Sequence, residues 1–225
     1  MKPPERARLR RLAIAALAAT AGILAALWLL GSIPGPGTRG ETVTVFIPRG
    51  TPFGQVVDLL DRNGLLRSRL VFRAMAHVTN APRRVKAGEY EFTRSMSPGE
   101  ILTKLVDGDF KKHAITVPEG FTVRKIAARL AAEGLVDEGE FLRLARDRAA
   151  LGRLNIPAAS AEGFLFPDTY SFYRGLDAGA ILERMAGRFR EKVTPEMTAK
   201  AGAQGFTLLQ WVTLASIIEK ETGLK

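Results

Sequence analysis

Two stretches of this chain carry matching residues at a constant spacing of 70, and that repeat limits the fold more than any other feature. Val45 pairs with Ile115, Ile47 with Val117, Pro48 with Pro118 and Gly50 with Gly120. The same shift pairs Val56 with Ile126, Leu60 with Leu130, Gly64 with Gly134 and Leu65 with Leu135. Each copy reads as a strand, a Pro-x-Gly turn, an amphipathic helix, a glycine stop and a second helix. Gly64 and Gly134 stand where a helix C-terminus takes a left-handed residue. Two copies are too few to stack as a solenoid, so the pattern predicts a duplicated module within an α+β protein.

The first copy continues with an alternating strand at Gly88–Phe92. Ser97-Pro98-Gly99-Glu100 then reads as a capping box with proline at the first helical position, opening a helix through Ile101, Leu102 and Leu105 that stops near Gly108. The expected unit is a compact βααβ module whose strands, at Val43–Ile47 and Glu89–Phe92, have helices on one face.

Before it, Leu12–Ile33 is uncharged and apolar, long enough to cross a bilayer as a helix. It exceeds the usual core of a signal peptide and no A-x-A site follows it. The reading is an uncleaved single-pass anchor with Trp28 near the interface. Residues 1–11 form a basic tail, with Lys2, Arg6, Arg8, Arg10 and Arg11 against Glu5. The positive-inside rule therefore predicts a cytoplasmic N-terminus, a Pro/Gly-rich linker over 34–40, and the bulk of the chain outside the cytoplasm. The net charge of +10 favours acidic or anionic partners, but no nucleic-acid-binding motif accompanies it and none is expected to bind. The absence of cysteine excludes disulfides, thiolate nucleophiles and Cys-based zinc sites. His77 and His113 are too isolated to predict a metal site.

Two segments carry candidate chemistry. Phe206–Thr222 reads as a long apolar helix. At about 100° per residue, Leu208, Trp211, Val212, Ala215 and Ile218 share one side, with Glu219 near the middle of that stripe. An acid among apolar neighbours resists ionisation, and a protonated acid is what general acid catalysis requires. Glu219 is the catalytic candidate; Glu221 falls on a mixed side. Earlier, Glu162-Gly163-Phe164-Leu165-Phe166-Pro167-Asp168-Thr169-Tyr170 combines carboxylates with aromatic rings. Carboxylates accept hydrogen bonds from hydroxyls and aromatic faces stack on sugar rings, so Glu162, Phe166, Asp168 and Tyr170 are candidate substrate-binding residues. The competing reading is a packed turn with Phe164 and Phe166 in the core.

Residues 162–170 (EGFLFPDTY) and 214–222 (LASIIEKET) resemble the two signature stretches of the endolytic murein transglycosylase (YceG-like) family. The order of parts is also similar. The resemblance implies a cytoplasmic tail (1–11), a membrane anchor (12–33), a linker (34–40), a LysM-like module (41–110) and an α+β catalytic domain (111–225). It implies that Glu219 is the catalytic glutamate of a peptidoglycan lyase acting without metal or organic cofactor. The product would be a 1,6-anhydro-N-acetylmuramic acid end. The implied setting is the bacterial inner membrane, with glycan strands as substrate and peptidoglycan synthases as partners. Family members continue beyond the glutamate helix, so this chain is expected to be C-terminally incomplete. The alternatives are a non-catalytic, membrane-anchored scaffold that binds peptidoglycan, and a hydrolase, which needs a second carboxylate opposite Glu219.

Overall fold

The computed structural model describes residues 3–38 and 40–222. Met1 and Lys2 of the basic tail, Arg39 of the linker and residues 223–225 of the C-terminal span lie outside the described residues. The chain divides into two compact units, Met1–Lys111 and Lys112–Lys225, each a mixture of helices and a small sheet.

The first unit opens with helix α1 (Pro3–Ser32). Its segment Leu12–Ser32, with mean hydropathy 2.2, is long and apolar enough to cross a membrane, and Leu12, Leu17 and Trp28 are exposed. The Pro/Gly-rich segment after it is fastened rather than free. The Gly35 N–H donates to Ser95 O at 3.0 Å and the Gly37 N–H to Arg94 O at 3.2 Å, while Arg67 Nε donates to Pro34 O at 2.9 Å. Close approach explains the glycine at 35, where a Cβ would stand 2.2 Å from Arg94 O.

The module itself runs strand β1 (Thr42–Ile47), helices α2 (Phe53–Arg62) and α3 (Arg69–Val78), strand β2 (Gly88–Thr93) and helix α4 (Pro98–Asp107). β1 and β2 pair antiparallel with Val45 opposite Tyr90. Two strands alone are marginal in water; here Val45, Ile47, Tyr90 and Phe92 are buried in one core with Val56, Leu60, Phe72 and Ile101 from the helices. The predicted capping box is present. Ser97 Oγ accepts from the Glu100 N–H at 3.3 Å, and the Glu100 carboxylate accepts from the Ser97 N–H at 2.7 Å. Bonds donated to the carboxylate, by the Ser97 backbone N–H first and by the Ser97 hydroxyl at 2.8 Å second, hold the Glu100 carboxyl below its ordinary value.

The second unit repeats the plan. Strand β3 (His113–Val117) leads to helices α5 (Val123–Ala132) and α6 (Glu138–Leu144), an added helix α7 (Arg148–Arg153), strand β4 (Asp168–Phe172) and helix α8 (Ala178–Lys192). The repeat thus reaches further than the first half visible in the sequence. β3 pairs antiparallel with β4, and Ile115 lies opposite Tyr170 as Val45 lies opposite Tyr90. Past α6 the shift becomes 80, as in Tyr90 to Tyr170, Phe92 to Phe172 and the N-caps Ser97 and Asp177. Both tyrosine hydroxyls donate to the carbonyl four residues back, Tyr90 to Lys86 and Tyr170 to Phe166. Both rings stack on the next buried aromatic of their strand, with centroids 5.6 Å and 5.5 Å apart. Helix α9 (Pro195–Ala203) and helix α10 (Leu208–Thr222) complete the unit and meet at 91°.

Candidate functional site

α10 lays one narrow face on the second unit. Leu208, Trp211, Val212 and Glu219 are its half-buried residues, and no residue of the helix is fully buried. The apolar enclosure expected for Glu219 is therefore not found. Ile218, placed by the helical wheel on the same stripe, is 54% exposed, because the helix touches the unit along a line narrower than its apolar arc.

Two loops set where that line falls. Gly163 has φ +81°, a left-handed backbone that L side chains rarely adopt, and a Cβ there would lie 2.7 Å from Val212 Cγ1. The glycine thus lets α10 approach the loop. Two turns further along α10, Glu219 Oε1 lies 3.7 Å from where a Cβ on Gly120 would stand, so the carboxylate lies over the turn between β3 and α5.

Glu219 lines two adjoining hollows. The inner cleft, about 90 Å³, is lined by Pro118, Gly120, Val123 and Glu162. The Glu162 carboxylate is fixed there by the Val123 N–H, at 3.1 Å to one oxygen and 3.4 Å to the other. Val123 is the first residue of α5, where unpaired N–H groups and the helix dipole favour an anion. The outer groove, about 400 Å³, carries Glu119, Phe166, Trp211 and Ser216 beside Glu219. Its volume is in the range of small-ligand sites.

The structure thus brings Glu219 and Glu162 to one cleft and Phe166 to the groove beside them. Asp168 and Tyr170 line neither. Asp168 accepts from Arg188 Nε at 2.6 Å and from the Thr169 N–H at 2.7 Å, and these bonds, the arginine first, hold its carboxyl below the usual range. Tyr170 is buried, with its hydroxyl committed to Phe166 O. Desolvation, and after it the charge of Asp168, pushes the phenol up to about 12. Phe164 is buried in the core against Phe189. Glu119 and Trp211 also line the groove, and neither stands out in the sequence as a candidate. Trp211 reads as part of the apolar stripe in sequence; the signal for Glu119 was the charge reversal from Arg49 at the same place in the repeat.

The chain is thus a mixed α/β protein in which a glutamate lies over the turn of a duplicated strand–helix unit. The model of the YceG-like family matches residues 45–225, and the chain belongs to that family. An endolytic murein transglycosylase of Streptococcus pneumoniae strain D39 is 26% identical over 92% of this chain and 42% of its own length. One of Bacillus subtilis is 25% identical over 80% of this chain and 54% of its own. The chain spans about half the length of these curated relatives. A solved YceG-like protein of Listeria monocytogenes is 24% identical, with a TM-score of 0.43 over 80% of this chain and 64% of that one.

Proposed function

We propose that this chain is the anchored, glutamate-bearing part of an endolytic peptidoglycan transglycosylase. Residues 12–33 span the bacterial inner membrane with the basic tail in the cytoplasm. Residues 41–110 form a LysM-like module, and 111–225 belong to the catalytic domain. The substrate is a nascent glycan strand whose length the enzyme limits, working beside peptidoglycan synthases. The names of the relatives support this reading. The observation that carries it is the position of Glu219, at the junction of an inner cleft bearing a second carboxylate and a groove lined by Phe166 and Trp211 among others.

The chemistry is that of a lyase. Glu219 donates its proton to the oxygen bridging N-acetylmuramic acid and N-acetylglucosamine. The bond from the muramyl C1 to that oxygen breaks, and positive charge develops on the muramyl ring. The C6 hydroxyl of the same sugar attacks C1, and its proton returns to the Glu219 carboxylate. No water is consumed, and the intramolecular attack avoids the entropy cost of a second reactant. Phe166 and Trp211 offer ring faces to the sugars.

The test is mass spectrometry of the glycans released from purified peptidoglycan by the full-length protein. The expected products end in 1,6-anhydro-N-acetylmuramic acid and disappear in Glu219→Gln. Reducing-end products would overturn the lyase in favour of a hydrolase. Retained binding without any cleavage would favour the scaffold.

A further inference from the structure

The inner cleft has a counterpart in the first unit. A hollow of about 70 Å³ there is lined by Ile47, Pro48 and Val56, the positions of Val117, Pro118 and Ile126. It is lined also by Pro82 and Val85, the positions of Glu162 and Leu165 at the shift of 80. The two copies therefore serve as an internal control, since whatever the module needs in order to fold is present in both. What only the second copy has is then free to serve chemistry. Two ionisable differences stand beside Glu219, one at the inner cleft and one at the outer groove. Pro82 becomes Glu162, and Arg49 in the Pro-x-Gly turn becomes Glu119.

These two carboxylates differ in how they are held. Glu162 is bound to the first N–H of α5 and fixes the turn that underlies Glu219. The Glu119 carboxylate is exposed, and among the described residues it accepts no hydrogen bond and joins no ion pair. It borders the outer groove together with Trp211 and Glu219.

We infer that Glu119 is a second catalytic residue, which faces the sugar ring undergoing cleavage and stabilises the positive charge that develops there. The inference rests on the transglycosylase reading of the same groove. Glu119 transfers no proton. Glu219 gives and recovers the only one that moves, and Glu119 supplies a negative charge worth more to the cationic transition state than to the neutral substrate.

The first copy also supplies the variant for the test. Glu119→Arg gives the turn the side chain that its duplicate carries, so folding is expected to persist, with the melting temperature as the check. Glu119→Gln removes the charge at nearly constant shape. In the full-length protein acting on purified glycan strands, kcat should fall by about 10²-fold in Glu119→Gln and further in Glu119→Arg, with KM changed by no more than a few-fold. Glu119→Asp should recover part of the loss. An unchanged kcat, whether or not KM rises, would overturn the inference. Product ends are scored in the same experiment. Reducing ends in the wild type would sink the transglycosylase reading, while the kcat ratio would still decide for or against Glu119.

Discussion

Replacing Gly163 by alanine tests how the seat of α10 controls Glu219. Two costs follow from the structure. At φ +81° an L residue is strained by about 1–2 kcal/mol. The new Cβ would also stand 2.7 Å from Val212 Cγ1, against roughly 3.5–4.0 Å for carbon atoms in ordinary contact. Relief requires α10 to lift by roughly 1 Å along the face that carries Glu219. The first cost is thermodynamic and lowers the melting temperature by roughly 5–10 °C for a unit of this size. The second is positional, and an error of roughly 1 Å costs about 10²-fold in rate. Circular dichroism melts and, on the proposed transglycosylase function, the rate of glycan cleavage therefore separate the two. Val212→Ala in the Gly163→Ala background removes the clash but not the backbone strain. The double variant should regain most of the rate while staying thermally weakened, a coupling visible as non-additivity in the cycle. The reasoning fails if the double variant cleaves no faster than Gly163→Ala, or if Gly163→Ala melts lower yet cleaves at the wild-type rate.

Three further outcomes are expected. Asp168 is held below its ordinary range by Arg188, so its contribution is present above the unfolded value near ~4 and lost as pH falls through the lower folded value. Asp168→Asn should therefore melt below wild type at neutral pH, with the gap closing under acid; a gap that is constant with pH refutes the ion pair as its source. Tyr170, pushed up to about 12, contributes stability that is complete below about pH 10 and lost between about 10 and 12; ultraviolet titration should show a late tyrosinate that Tyr170→Phe removes. Gly35→Ala should release the segment after α1, because its Cβ would collide with Arg94 O. Proteolysis within 34–38 should accelerate, and an unchanged cleavage rate would show that the segment is not strapped.

The order of strand, turn, helix, glycine stop and helix was legible in both copies because it depends on local periodicity and on turn residues. Val56, Leu60 and Leu65 are buried as their counterparts Ile126, Leu130 and Leu135 are. The second half of the repeat was not legible. The extra residues around α7 break the constant spacing, and only the pairing of β3 with β4 aligns Tyr170 with Tyr90. That alignment explains Tyr170 as a core residue whose hydroxyl closes a local turn.

The duplicated module, the apolar N-terminal helix and the place of Glu219 on one side of its helix follow from which residues recur at which period. Packing alone set which carboxylates line the hollows around Glu219. Glu119, Glu162 and Glu219 are far apart in the chain, and nothing local relates them. Glu162 shares the inner cleft with Glu219, and Glu119 shares the outer groove with it, because Gly163 lets α10 lie close to the loop and Gly120 leaves room beneath Glu219. The same packing turned Asp168 toward Arg188 and left one side of α10 uncovered. Residue type names the chemistry a side chain can do, while packing decides which partner it has, and so whether it does that chemistry.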